Sequence, residues 1–129
     1  MSYLKTKAAL ETHLQGVAAD RAVFFDHPHT PAHEDAYIAS VFIPGKSKTV
    51  LLGPDLPKEH RGSLKLTVHE TTDHGAMIEI DALCTHFKHG QVLVFDGHEV
   101  HLEKVEVGPN KTTLTHTNIP VTISWRCYF

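Results

Sequence analysis

Histidine is the residue type best placed to do chemistry in this chain, with 12 among 129 residues. Imidazole titrates near neutral pH, moves protons and ligates divalent metals. The segment His27-x-His29-x3-His33-Glu34 puts three imidazoles and a carboxylate on one short stretch, a donor set that can gather a cation. His86-x2-His89 has helical spacing, so both rings can share one face. His98-x2-His101 has opposite parity on an extended strand, which sends the two rings to opposite faces.

Each grouping also has a plainer reading. Two prolines break residues 26–36, so the first is a solvated loop with surface imidazoles. It shares His-x-His and a following glutamate with cupins, but the Pro-x-Gly of that motif is absent. His86 and His89 complement a helix C-terminus. Nucleophilic chemistry finds no frame: there is no Gly-x-Ser-x-Gly, no phosphate-cradling glycine loop and no His-Glu-x-x-His. Cys84 falls on the apolar stripe of a helix and Cys127 on the inward parity of the last strand, so both read as core. Glu70, Asp73, Glu79 and Asp81 are spread over a helix start and its polar face, as solvated carboxylates would be. The reading assigns no catalytic residue, no cofactor and no metal site, and the chain is read as not an enzyme.

The elements that position these residues follow from periodicity. Leu4, Leu10, Leu14, Val17 and Ala18 recur at mostly helical spacing, with Ser2 as N-cap. Ala22–Phe25 is a short strand. Tyr37–Ile43 is a strand closed by Pro44-Gly45, and Thr49–Leu52 is a short strand or arm. Gly62–Glu70 alternates, with Leu64, Leu66 and Val68 on one face. A second amphipathic helix spans about 73–88. Thr72 or Asp73 caps it; Ala76, Met77, Ile80, Leu83, Cys84 and Phe87 form its stripe, and Gly90 stops it. Val92–Phe95 and Glu99–Val107 form a hairpin around Asp96-Gly97. Val100 and Leu102 have one parity and Val105 and Val107 the other, so a bulge is expected at Glu103-Lys104. The last strand keeps Ile119, Val121, Ile123, Trp125 and Cys127 on one face, and Pro120 marks an edge or a bulge. This order predicts an α+β fold: a mostly antiparallel sheet of four to five strands, with both helices packed on one face.

Composition sets the remaining bounds. The length fits one domain, 1–129. Net charge is -3, which disfavours a dedicated nucleic-acid binder. No apolar run approaches the ~18–20 residues that span a bilayer. Met1–Lys5 lacks the pattern of a signal peptide. Two cysteines make no disulfide framework, so a reducing cytoplasm is expected.

The order of features resembles the tail-terminator (tail-completion) proteins of long-tailed, non-contractile phages and prophages. The resemblance is carried by Ala8-Ala9-Leu10-Glu11-x2-Leu14, then Val23-Phe24-Phe25 to Pro31, Tyr37-Ile38, Leu52-Gly53 and Arg61-Gly62. It continues through Leu64-x-Leu66-x-Val68, the helix from Ala76 to Phe87, and the closing Ile119-Pro120-Val121-x-Ile123-x-Trp125-Arg126. It covers nearly the whole chain, and order and spacing carry it rather than any single motif. The histidine content departs from the family pattern.

The resemblance implies a structural virion protein with no reaction to perform. It implies a homo-oligomeric ring, usually a hexamer, that caps the tail tube, ends its polymerisation and presents a head-joining surface. The implied partners are other copies of the chain, the tail-tube protein and the head–tail connector, without membrane or sequence-specific nucleic acid. The implied location is the head-proximal end of the tail, with assembly in host cytoplasm. Lys46–Arg61 and Asp26–Asp35 are expected to reach neighbouring chains. Competing readings are a head–tail connector or stopper, a small metal-binding domain using His27, His29 and His33, and a monomeric interaction domain.

Overall fold

A computed structural model describes residues 3–17, 22–25, 37–48, 58–109, 111–112 and 117–129. Helix α1 spans Tyr3–Val17 and α2 spans Asp73–His86. Strands β1 to β7 are Ala22–Phe25, Tyr37–Lys48, Glu59–Glu70, Val92–Phe95, His98–Val107, Lys111–Thr112 and Thr117–Tyr128. The sheet order is β1-β2-β3-β7-β5-β4, with β6 paired to β7. Its body is the expected five-stranded antiparallel sheet, β2-β3-β7-β5-β4. Strand β1 extends it in parallel to β2, and β6 is a stub of 2 residues.

Both helices cover one face. There α1 supplies Ala9, Leu10 and Leu14, and α2 supplies Ala76, Ile80 and Leu83. They meet Ile38, Leu64, Leu66, Val68, Val100, Leu102 and the odd residues Ile119 to Cys127 in a single core. Trp125 and Phe87 are the largest side chains fully buried in it. The period-2 alternation of β3 and β7 produces this directly, since one parity faces the helices throughout.

Local signals read from sequence are present. The Thr72 hydroxyl accepts from Gly75 N–H at 3.0 Å and caps α2. Asp96 and Gly97 take positive φ in the β4–β5 turn. The pairing of β5 with β7 shifts between Leu102 and Val105, where the parity slip requires a bulge.

Other expectations are corrected. Strand β2 runs through Pro44-Gly45 to Lys48, with its irregularity between Pro44 and Ser47, because β3 begins at Glu59 and offers it a partner. Leu4 is 76% exposed, while the polar Thr6 is buried on the sheet side of α1. In α2 the stripe is narrower than expected: Met77 and Cys84 are exposed and Glu79 is buried in their stead. Pro120 sits in a central strand rather than at an edge. Its place is still local to a break in the ladder, since β5 ends at Val107 and Gly108 N–H bonds Pro120 O at 2.8 Å. A missing donor on that side therefore leaves no β5 carbonyl unpaired.

Candidate functional site

The described histidines are mostly built into the fold. His98 is fully buried and its Nε2 lies 2.8 Å from Thr6 Oγ1, tying β5 to α1. Burial, and then the nearby positive charges of the N-terminus and Lys5, hold its pKa below the usual imidazole value. Its parity with Val100 and Leu102 was the sequence signal for this position. His101 points to the other face, edge-on to Tyr128, as the spacing predicts. His60 Nε2 donates to Phe129 O at 3.0 Å, which leaves Nδ1 as acceptor for Ser47 Oγ at 2.8 Å and Tyr3 Oη at 3.1 Å. Its ring stacks on Phe129 at 3.7 Å, so this Ser–His contact pins α1, β2 and β3 to the last residue.

His13 and His86 form a reciprocal pair. His13 Nε2–H donates to His86 O at 2.9 Å and His86 Nε2–H donates to His13 O at 2.6 Å. Their rings stack with centroids 3.8 Å apart, and Phe87 lies edge-on to both. Burial lowers the His13 pKa; the hydrogen bond to the His86 carbonyl opposes this, and the His86 charge adds to it. Two protonated rings at that distance would repel. Sequence reading missed the pair because its members lie on different helices. His89, expected as a partner of His86, is exposed on the turn after α2.

The pair closes one end of a groove of about 360 Å³ between α1 and β4. Ala9, Thr12, His13 and Gly16 form its helical wall, and residues Gln91 to Phe95 form the other side. Among the described residues β4 pairs β5 alone, so its outer backbone groups face the groove. The edge is apolar: Val92 is 43% exposed and Val94 66%.

The sheet face away from the helices carries a cluster of ion pairs. Glu103, from the β5 bulge, accepts from Arg61 Nη1 at 2.8 Å and from Arg126 Nη1 at 3.3 Å. Arg61 also pairs with Glu59 through Nε, and this hydrogen bond raises the guanidinium pKa. Arg61 and Arg126 are cross-strand neighbours, as are Gly62 and Trp125.

No group of three or more histidine, cysteine or acidic side chains among the described residues can hold a metal. His27, His29 and His33, the loop Asp26–Asp35 and positions 49–57 of the expected arm lie outside the described residues. Cys127 is buried, as expected, and burial raises its thiol pKa. No described helix is long and apolar enough to cross a membrane.

The family model described as phage tail terminator protein matches residues 5–125. No curated protein matches the chain. A solved structure known by a sequence identifier is 20% identical, with a TM-score of 0.72, covering 100% of this chain and 97% of the other. A chain from the virion of a native gene transfer agent particle is 16% identical, with a TM-score of 0.65, covering 99% and 100%. Both likenesses show the fold.

Proposed function

The chain belongs to the phage tail terminator family, a family of phage tail structural proteins, and from that premise we propose that it closes into a ring on the end of the tail tube. The ring halts tube polymerisation and leaves its far side for the head-joining connector. The partners are then further copies of the chain, the tube protein and the connector, and assembly takes place in host cytoplasm. The work is geometric and requires no reaction.

One observation carries the reading: the family model spans residues 5–125, so the whole domain, and not a shared fragment, matches. The fold is compatible with it. A closed ring uses two different patches on each subunit, joined head to tail. Among the described residues the sheet ends in two different strands, β1 and β4.

The test is native mass across concentration, in solution and with purified tail tubes, followed by electron microscopy of the tube ends. Capped tubes of fixed length bearing a ring with a central hole are expected. Tubes that keep growing in the presence of the protein would overturn the terminator reading. Rings that bind portal-side assemblies and ignore tube ends would transfer the assignment to a connector.

A further inference from the structure

The groove beside β4 points to how one copy meets the next, an inference that rests on the ring reading above. We propose that the outer edge of β4 takes up strand β1 of a neighbouring copy, so that successive sheets run into one another.

Strand β4 is suited to gain a neighbour. Its residues pair β5 on one side, from Val92↔His101 to Phe95↔His98. Its other side opens on the groove walled by α1. A strand edge beside a helix is the arrangement by which domains accept an extended segment through main-chain hydrogen bonds. The wall helps, because Ala9, Thr12 and Gly16 are small and leave the backbone within reach.

Soluble proteins usually defend such an edge with lysine, proline or a bulge. Val-Leu-Val-Phe has neither residue, and its pairing to β5 runs without a shift. Val94 at 66% exposure and Phe95 at 37% are left uncovered by the described residues. Among the described residues nothing pairs with this edge.

The second copy fits as that partner. Strand β1 is the other end of the same sheet, also 4 residues long, and its sequence Ala-Val-Phe-Phe is likewise uncharged. Joining the two strands therefore buries no charge. Direction agrees as well. Strand β1 runs parallel to β2, and four antiparallel steps from β2 through β3, β7 and β5 lead to β4. Hence β1 and β4 have the same sense in the ladder, apart from the twist the sheet accumulates between them. If the ladder sense carries across the junction, β1 adds to β4 in parallel, the mode in which it already pairs β2.

The experiment compares wild type with Val94→Lys, a substitution at a position 66% exposed. Sedimentation and tube-end microscopy read assembly, and thermal unfolding reads the fold. The variant is expected to keep the wild-type unfolding profile and to self-associate at least ten-fold more weakly. A second variant, Val94→Cys with Phe24→Cys in a Cys84→Ser background, is expected to give ladders of covalent oligomers under mild oxidation. Unchanged rings with Val94→Lys, or no ladder from the cysteine pair, would overturn the junction and leave the ring standing. Val94→Lys protein that forms rings but no longer binds tubes would assign the groove to a tube-protein segment instead. Wild-type protein that forms no ring even on tube ends would remove the ring reading, and this junction with it.

Discussion

Gly62 and Trp125 face each other across β3 and β7, and a Cβ on Gly62 would stand 2.4 Å from the Trp125 ring carbon Cζ2. The same Cβ would lie 2.4 Å from the carbonyl oxygen of Ile43 on the next strand. Gly62 is therefore the space into which the largest core side chain folds. Phe42 stacks on that indole at 5.3 Å and completes the site.

Gly62→Ala is expected to destabilise the domain by about 1–3 kcal/mol, the usual range for overpacking a filled core. Trp125→Ala leaves a cavity and should cost ~3–5 kcal/mol, a large share of the total for a small domain. Urea titration measures both. A Gly62→Ala midpoint equal to wild type would mean that the ring and the Ile43 carbonyl can move aside.

Stability should fall on mild acidification. His13 and His98 both have pKa values lowered in the fold from the ordinary 6.5, with burial the largest cause. Below that value the unfolded chain binds more protons than the folded one, so acid favours unfolding. The stabilisation is complete above about pH 6.5 and is lost as pH falls from there towards the lowered folded values. Melting temperatures at pH 7.5 and 5.5 check this, and His98→Gln should flatten the difference. A melting temperature that rises on acidification would contradict the buried, neutral assignment.

The cluster around Glu103 should contribute little to stability. Arg61 and Arg126 side chains are 50% and 38% exposed, and solvent screens such pairs. Glu103→Gln is expected to cost under about 1 kcal/mol, and less still in high salt. A larger loss that persists in high salt would show the cluster to be shielded from water.

Protein purified without a nickel column should carry no stoichiometric transition metal, in line with the solvated-loop reading of His27, His29 and His33. Elemental analysis reads this directly. One equivalent of zinc that disappears in a His27→Ala, His29→Ala, His33→Ala variant would restore the metal-binding reading.

Much of the fold was legible because its signals are local. The parity slip from Leu102 to Val105 located the bulge. Thr72 marked the start of α2, whose end comes earlier than expected, at His86 with Phe87 as its cap rather than at Gly90, and the odd residues from Ile119 to Cys127 named the buried face of β7. Cys84 was misread because an apolar stripe shows which residues could be buried, not how wide a strip the sheet covers. Here the sheet covers Ala76, Glu79, Ile80 and Leu83 and leaves Met77 and Cys84 outside. The His13–His86 stack had no local signal, since each ring is unexceptional on its own helix.

The sequence by itself determined most of the elements, the buried faces of β3 and β7 and the family pattern, because periodicity, capping and turn chemistry act between residues a few positions apart. Tertiary structure alone decided which strands became neighbours. Pairing β3 with β7 set Arg61-Gly62 against Trp125-Arg126. It also placed β1 and β4 at the two ends of the described sheet. Strand order depends on how the described helices and strands can jointly cover one apolar face, a condition on the whole chain that no short segment encodes.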